Sequence, residues 1–232
     1  VNAAIAVHHG PVRSFASKFF FLQPAEEAQR EVELALKSRP TLVLGADFLF
    51  WFCYGDGRTD QERLQRFEQG LKLCDEFRCP LVLGDIPDAS NAVDGMLSPD
   101  EVPHPSAIAA ANRRLRAWAA SRSNVVVLSL SNFMATVVAN RALSIHGRSL
   151  PGGSTRILLQ ADNLHPSPPG CAVLSLLMLD AFQTTRAPGT ANEIIWDSKQ
   201  VFRTAYASAH SGSGGTTNAA AGASASKDKK DL

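Results

Sequence analysis

The sequence predicts an α/β protein with three layers, a parallel sheet covered by helices on both faces. Short continuous apolar runs alternate with longer amphipathic stretches, the signature of βαβ units. The runs do not alternate apolar with polar, so both faces of each strand are expected to be covered. Turn-forming clusters, Gly45-Ala46-Asp47 and Gly84-Asp85-Ile86-Pro87-Asp88, follow two of these runs where strands of a parallel sheet need exits. Crossovers between such strands are right-handed, and ligands bind outside the carboxyl ends of the strands.

The elements follow in order. Val1 to Val7 is a short apolar run ending in His8-His9-Gly10 and is expected to be a buried strand and a loop. Pro24 to Lys37 is a helix: Pro24 fits its first turn, Glu26, Glu27 and Glu31 lie toward its positive end, and Val32, Leu34, Ala35 and Leu36 give it an apolar face. Thr41 to Leu44 is a strand. The aromatic run Phe48 to Tyr54 fits a turn of helix on the sheet or a pocket wall. Thr59 to Phe77 places Leu64, Phe67, Leu71 and Cys74 at helical spacing. Pro80 to Leu83 is the next strand, Ser106 to Ser121 an Ala- and Arg-rich helix, Asn124 to Leu130 a strand and Phe133 to Arg141 a helix. Gly147 to Ser154 reads as a loop. Arg156 to Leu159 leads into a turn, and a helix rich in Val, Leu and Met follows Pro168-Pro169.

Composition narrows the function. The chain has 232 residues, enough for one sizeable core, and 45% of them are hydrophobic. A formal net charge of +1 gives no electrostatic argument for nucleic acid, and no apolar run of transmembrane length is free of charge or proline. The four cysteines, Cys53, Cys74, Cys79 and Cys171, lack the paired C-x-x-C spacing of a zinc site. Cys74 and Cys79 bracket a turn and suit a local disulfide; four ordinary thiols is the favoured reading. Neither metal nor cofactor is expected. Residues 1–187 form the domain, 188–207 an extension that docks on it, and 208–232 a tail. The tail is Ser, Gly, Ala and Lys with almost no apolar bulk, so it cannot offset its ordering entropy and is expected to be disordered.

The chemistry centres on Asp162-Asn163-Leu164-His165-Pro166. An acid three residues before a histidine on a tight turn can accept a hydrogen bond from one imidazole nitrogen. That fixes the tautomer and leaves the other nitrogen free to take a proton from a nucleophile. The plain alternative is an Asp capping a turn beside an incidental surface His.

The segment LLQADNLHPSPPGCAVLSLLMLDAF resembles the last sequence block of the SGNH (GDSL-type) hydrolase superfamily. The resemblance covers most of residues 1–185. It implies a flavodoxin-like sheet, hydrolysis of ester bonds, and Asp162 and His165 as the acid and base of a Ser-His-Asp triad. It also implies an oxyanion donor at Gly10 and another at the position of Asp47. There the family has an Asn amide, and the chain reads Gly45-Ala46-Asp47-Phe48. The departure matters: an ionised carboxylate only accepts hydrogen bonds and repels an oxyanion. The nucleophilic serine of the family sits in a Gly-Asp-Ser-like loop after its first strand. Nothing here matches that block, so the sequence is expected to lack the first strand and its Ser. Ser14 and Ser17 belong to a different block, and Ser129 and Ser131 lack a nucleophile-elbow context.

The expected function is therefore hydrolysis of acyl or acetyl esters, with a small-molecule or carbohydrate ester as substrate and the serine outside residues 1–232. The alternative is a non-catalytic binding or scaffolding domain that keeps the fold. A dinucleotide-binding domain is disfavoured because no G-x-G-x-x-G follows any strand.

Overall fold

The computed structural model describes residues 1–55, 59–93, 95–183 and 193–211. It is mixed α/β. In chain order it has a 3-10 turn Asn2–Ala4, helix α1 Pro24–Lys37, strand β1 Val43–Gly45, the short helix α2 Phe50–Cys53 and helix α3 Asp60–Cys74. Then come β2 Leu81–Gly84, α4 Pro105–Ala120, β3 Val125–Leu128, α5 Leu130–Val138 and a hairpin of β4 Leu143–Ile145 with β5 Arg148–Leu150. Helices α6 Pro168–Gln183 and α7 Ser198–Ser211 follow. Among the described residues no helix is long and apolar enough to cross a membrane.

β1, β2 and β3 form one parallel sheet in sequential order, with Val43 opposite Leu81 and Leu81 opposite Val125. Their side chains divide by parity, as the pleat requires. Val43, Leu81, Leu83, Val125 and Val127 face a cluster that holds Val32 of α1, Phe52 of α2, Phe67 and Leu71 of α3 and Leu115 of α4. Leu42, Leu44, Val82, Val126 and Leu128 face Leu174, Leu177, Met178 and Phe182 of α6. The sheet is thus covered on both sides, and β2, its middle strand, is buried throughout. Fully burying a side chain such as Phe67 or Leu115, both 0% exposed, contributes about 1.5–3 kcal/mol.

Local chemistry sets the helix ends. Pro24 occupies the first turn of α1, with Glu26 and Glu27 at its positive end and Lys37 at its negative end. Thr59 and Glu62 form a reciprocal capping box on α3. At the carboxyl edge of the sheet two exits cross closely. A Cβ on Gly84 would lie 1.9 Å from the Ala46 carbonyl oxygen, so only glycine lets the β1 exit pass over the end of β2.

Several expectations are corrected. Val1 to Val7 is not a strand of the sheet. Asn2–Ala4 is a 3-10 turn, and Ile5 makes a single antiparallel bridge to Ile194, flanked by Ala6 N–H to Glu193 O and Ile195 N–H to Ala4 O, both 2.7 Å. Alanine is a weak strand former, and this Ala-rich run finds its partner in a distant segment that periodicity cannot reveal. β3 stops at Leu128 and α5 starts at Leu130, earlier than expected, because the carboxylate of Asp85 accepts from the Ser131 N–H at 2.6 Å and from its hydroxyl at 2.7 Å. Of the loop expected over Gly147 to Ser154, Arg148–Leu150 is instead a strand, paired with Leu143–Ile145 in a hairpin turned by His146 (φ 47°) and Gly147 (φ 72°). Of the residues expected as an extension, 188–192 lie outside the described residues; Ile194, Ile195, Trp196, Val201 and Phe202 join the cluster of α5 and α6 side chains. Residues 208–211, assigned to the tail, are the last turn of α7; the rest of that assignment, 212–232, lies outside the described residues.

Candidate active site

The Asp162–His165 turn is the tip of a small antiparallel loop. Leu159 pairs with Pro166, with Ser167 N–H donating to Leu158 O and Gln160 N–H to His165 O, both at 2.9 Å. Ser167 then starts α6. Its hydroxyl accepts from Gly170 N–H at 3.2 Å and donates to Ile157 O at 2.6 Å, which ties the helix start to the strand-like segment before the turn. Gly170 is required here, since a Cβ would meet the Leu158 carbonyl oxygen at 1.9 Å.

Within the turn, one carboxylate oxygen of Asp162 accepts from the backbone N–H groups of Leu164 and His165, both at 3.0 Å. The other lies 2.8 Å from His165 Nδ1. Partial burial pushes the Asp162 carboxyl up, but the Leu164 N–H, the His165 ring and the His165 N–H together outweigh it and hold it below the ordinary aspartate value. The ionised carboxylate can only accept, so Nδ1 is the donor, and in the neutral ring Nε2 carries the lone pair. Among the described residues Nε2 has no hydrogen-bond partner, and the His165 side chain is 48% exposed against 21% for Asp162. The pair is thus an imidazole held through Nδ1 by a carboxylate, on a half-exposed side chain whose Nε2 makes no hydrogen bond among the described residues.

The turn docks on the segment that leaves the carboxyl end of β2. Asn163 Nδ2 donates to Asn91 O at 3.0 Å, a Cβ on Gly95 would lie 3.9 Å from Asp162 O, and Leu164 packs into the cluster of α1 to α4. A cavity of about 580 Å³ opens on the same segment, lined by Val93, Pro99 to Pro105 in part, and by Asp60 and Arg63 of α3. Arg63 is 2% exposed and donates to the carbonyls of Cys53, Asp100 and Glu101, a role in holding the 99–101 turn that its sequence context did not signal.

The other two expected site residues lie apart from the pair in bonding. Asp47 is exposed at the β1 exit, where its carbonyl accepts from Phe50 N–H at 2.9 Å to start α2, and its charge acts on Glu31 of α1. Gly10 is exposed in a segment without regular secondary structure, its carbonyl 2.6 Å from His9 Nδ1. Among the described residues neither makes a hydrogen bond to Asp162 or His165. No described serine or cysteine bonds to His165 Nε2 either.

Sequence reasoning missed a second histidine–carboxylate pair. His146 Nδ1 lies 2.9 Å from Asp180 Oδ1, and its ring stacks on Trp196 with centroids 3.9 Å apart and planes 8° from parallel. Its residues are too far apart in sequence for spacing to signal it. It pins the β4–β5 hairpin to α6 and to the docked extension.

Comparison with known proteins finds no matching family model, no matching curated protein and no matching solved structure.

Proposed function

We propose that this domain carries the base of an ester hydrolase of SGNH type. The observation that supports this most is the Asp162–His165 pair: an ionised carboxylate fixed by two backbone amides, holding a half-exposed imidazole whose Nε2 has no hydrogen-bond partner among the described residues. The consecutive order β1-β2-β3 agrees with the last three strands of a flavodoxin-like 2-1-3-4-5 sheet. In this reading a serine hydroxyl from outside residues 1–232 gives its proton to His165 Nε2 as its oxygen attacks an ester carbonyl. Asp162 stabilises the imidazolium. His165 then returns the proton to the departing alcohol, and water repeats the sequence on the acyl-enzyme. Gly10 N–H is the proposed oxyanion donor, and Asp47 the residue that meets the substrate at the second donor position. The proposed substrates are acyl or acetyl esters of small molecules or carbohydrates. A second reading, a non-catalytic relative that binds a ligand, is favoured by Asp47, because a carboxylate is the wrong partner for an oxyanion.

A fluorophosphonate probe tests the reading. In a protein that includes the sequence encoded upstream of Val1, the probe should label one serine, upstream of Val1, and His165→Ala should abolish labelling. Labelling that survives His165→Ala, or none in the parent, would favour the binding module.

A further inference from the structure

The hydrogen bond between Asp162 and His165 closes a turn only four residues long, and one of the two residues inside it, Asn163, is itself bonded to segments outside the turn. Asn163 has φ 59°, the left-handed region that Asn tolerates better than most side chains. Its side-chain oxygen accepts from the Arg156 guanidinium, and its Nδ2 donates to Asn91 O at 3.0 Å. Its own N–H donates to Gln160 O at 3.3 Å. Arg156 is itself fixed: its backbone N–H donates to Asn140 Oδ1 at 3.0 Å, an oxygen that also accepts from the N–H and the hydroxyl of the buried Thr155. Asn163 therefore ties the turn to two segments that belong to neither member of the pair. Leu164 adds an anchor in the apolar core.

We propose that Asn163 is a positioning residue for His165: its side-chain amide, clamped between Arg156 and Asn91, keeps the 162–165 turn closed and sets the direction of Nε2. The proposal rests on the reading of His165 as a general base. The physical logic is that a closed turn brings two amides and one imidazole nitrogen onto a single carboxylate. Without an external clamp, an exposed turn of this length exchanges that arrangement for bonds to water. A left-handed residue alone would shape the turn, and glycine would serve. The clamp needs the amide.

Substitutions separate the two roles. Asn163→Gly keeps the left-handed backbone and removes the clamp. Asn163→Asp keeps both the backbone and an acceptor for Arg156. The readouts are the ring 15N shifts of neutral His165, which report the tautomer, and esterase kcat and KM in the protein that includes the upstream sequence. Asn163→Gly should move the 15N shifts from a single Nδ1–H tautomer toward a mixture and lower kcat by about 10- to 100-fold with KM little changed. Asn163→Asp, which keeps the acceptor for Arg156 but turns an oxygen toward Asn91 O in place of the donating Nδ2, should recover only part of either. Arg156→Gln, which loosens the clamp from its other side, should act in the same direction as Asn163→Gly and serves if the glycine variant does not fold. Unchanged 15N shifts in both Asn163→Gly and Arg156→Gln would overturn the proposal, even with an active parent. Shifted tautomers in a parent with no esterase activity would keep the clamp and overturn the hydrolase reading instead.

Discussion

Gly170 of α6 presses its Cα so closely on Leu158 that a methyl group there would sit 1.9 Å from the Leu158 carbonyl oxygen. The contact lies between the strand-like segment that enters the Asp162–His165 turn and the helix that leaves it. Gly170→Ala should therefore cost about 1–3 kcal/mol by overpacking and disturb the turn as well. Gly10→Ala meets open space and should change the melting temperature by less than the error of measurement. Thermal unfolding of the two variants checks this; equal stabilities would mean that α6 does not sit where described.

Asp162 gives stability a pH dependence of known sign. Its folded-state pKa is held below the ordinary value of 3.8, so its contribution is present above that value and is lost as pH falls through the folded pKa. Asp162→Asn should lower the melting temperature at neutral pH, and the gap to the parent should close as pH falls below about 4. A gap that widens toward acid would contradict the bonding described.

All four cysteines are free thiols. Burial pushes Cys53 and Cys74 up to about 12, whereas Cys171, on the first turn of α6, is exposed. Iodoacetamide on the native protein should modify Cys171 first and reach Cys53 and Cys74 only on unfolding, read by peptide mass. Equal rates at Cys53 and Cys171 would contradict the packing of α2 against α3.

Asp47 is the residue where the chain departs from the resemblance. In an active protein Asp47→Asn should raise turnover, up to the roughly 10²–10³-fold that one oxyanion donor is worth elsewhere. It should also ease Glu31, whose carboxyl is raised by burial and further by the charge of Asp47. A fall in turnover would give the carboxylate a positive role in binding.

The residues explain what was legible. α1 runs from Pro24 to Lys37 as expected because its stop and start are local: a proline, a first-turn pair of glutamates and Arg39 at φ 52° just beyond. The three strands were visible as apolar runs because helices cover both faces of the sheet. The hairpin carries a local signal as well, Leu143-Ser144-Ile145 and Arg148-Ser149-Leu150 around His146-Gly147. The start of α5 and the fate of Val1 to Val7 were not legible, since Asp85 and Ile194 act from far along the chain. The same division holds in the site. Asp162 and His165 pair over three residues, and their spacing announced it. Asn163 depends on Asn91, 72 residues away, and no local pattern does.

The most direct measurement is hydrolysis of p-nitrophenyl acetate by residues 1–232 and by a protein that adds the sequence encoded upstream of Val1, each with its His165→Ala variant. The account predicts turnover only in the longer protein, reduced by at least about 10²-fold in His165→Ala. His165-dependent turnover by residues 1–232 alone would place the nucleophile within them, and turnover indifferent to His165 in the longer protein would contradict the role given to the pair.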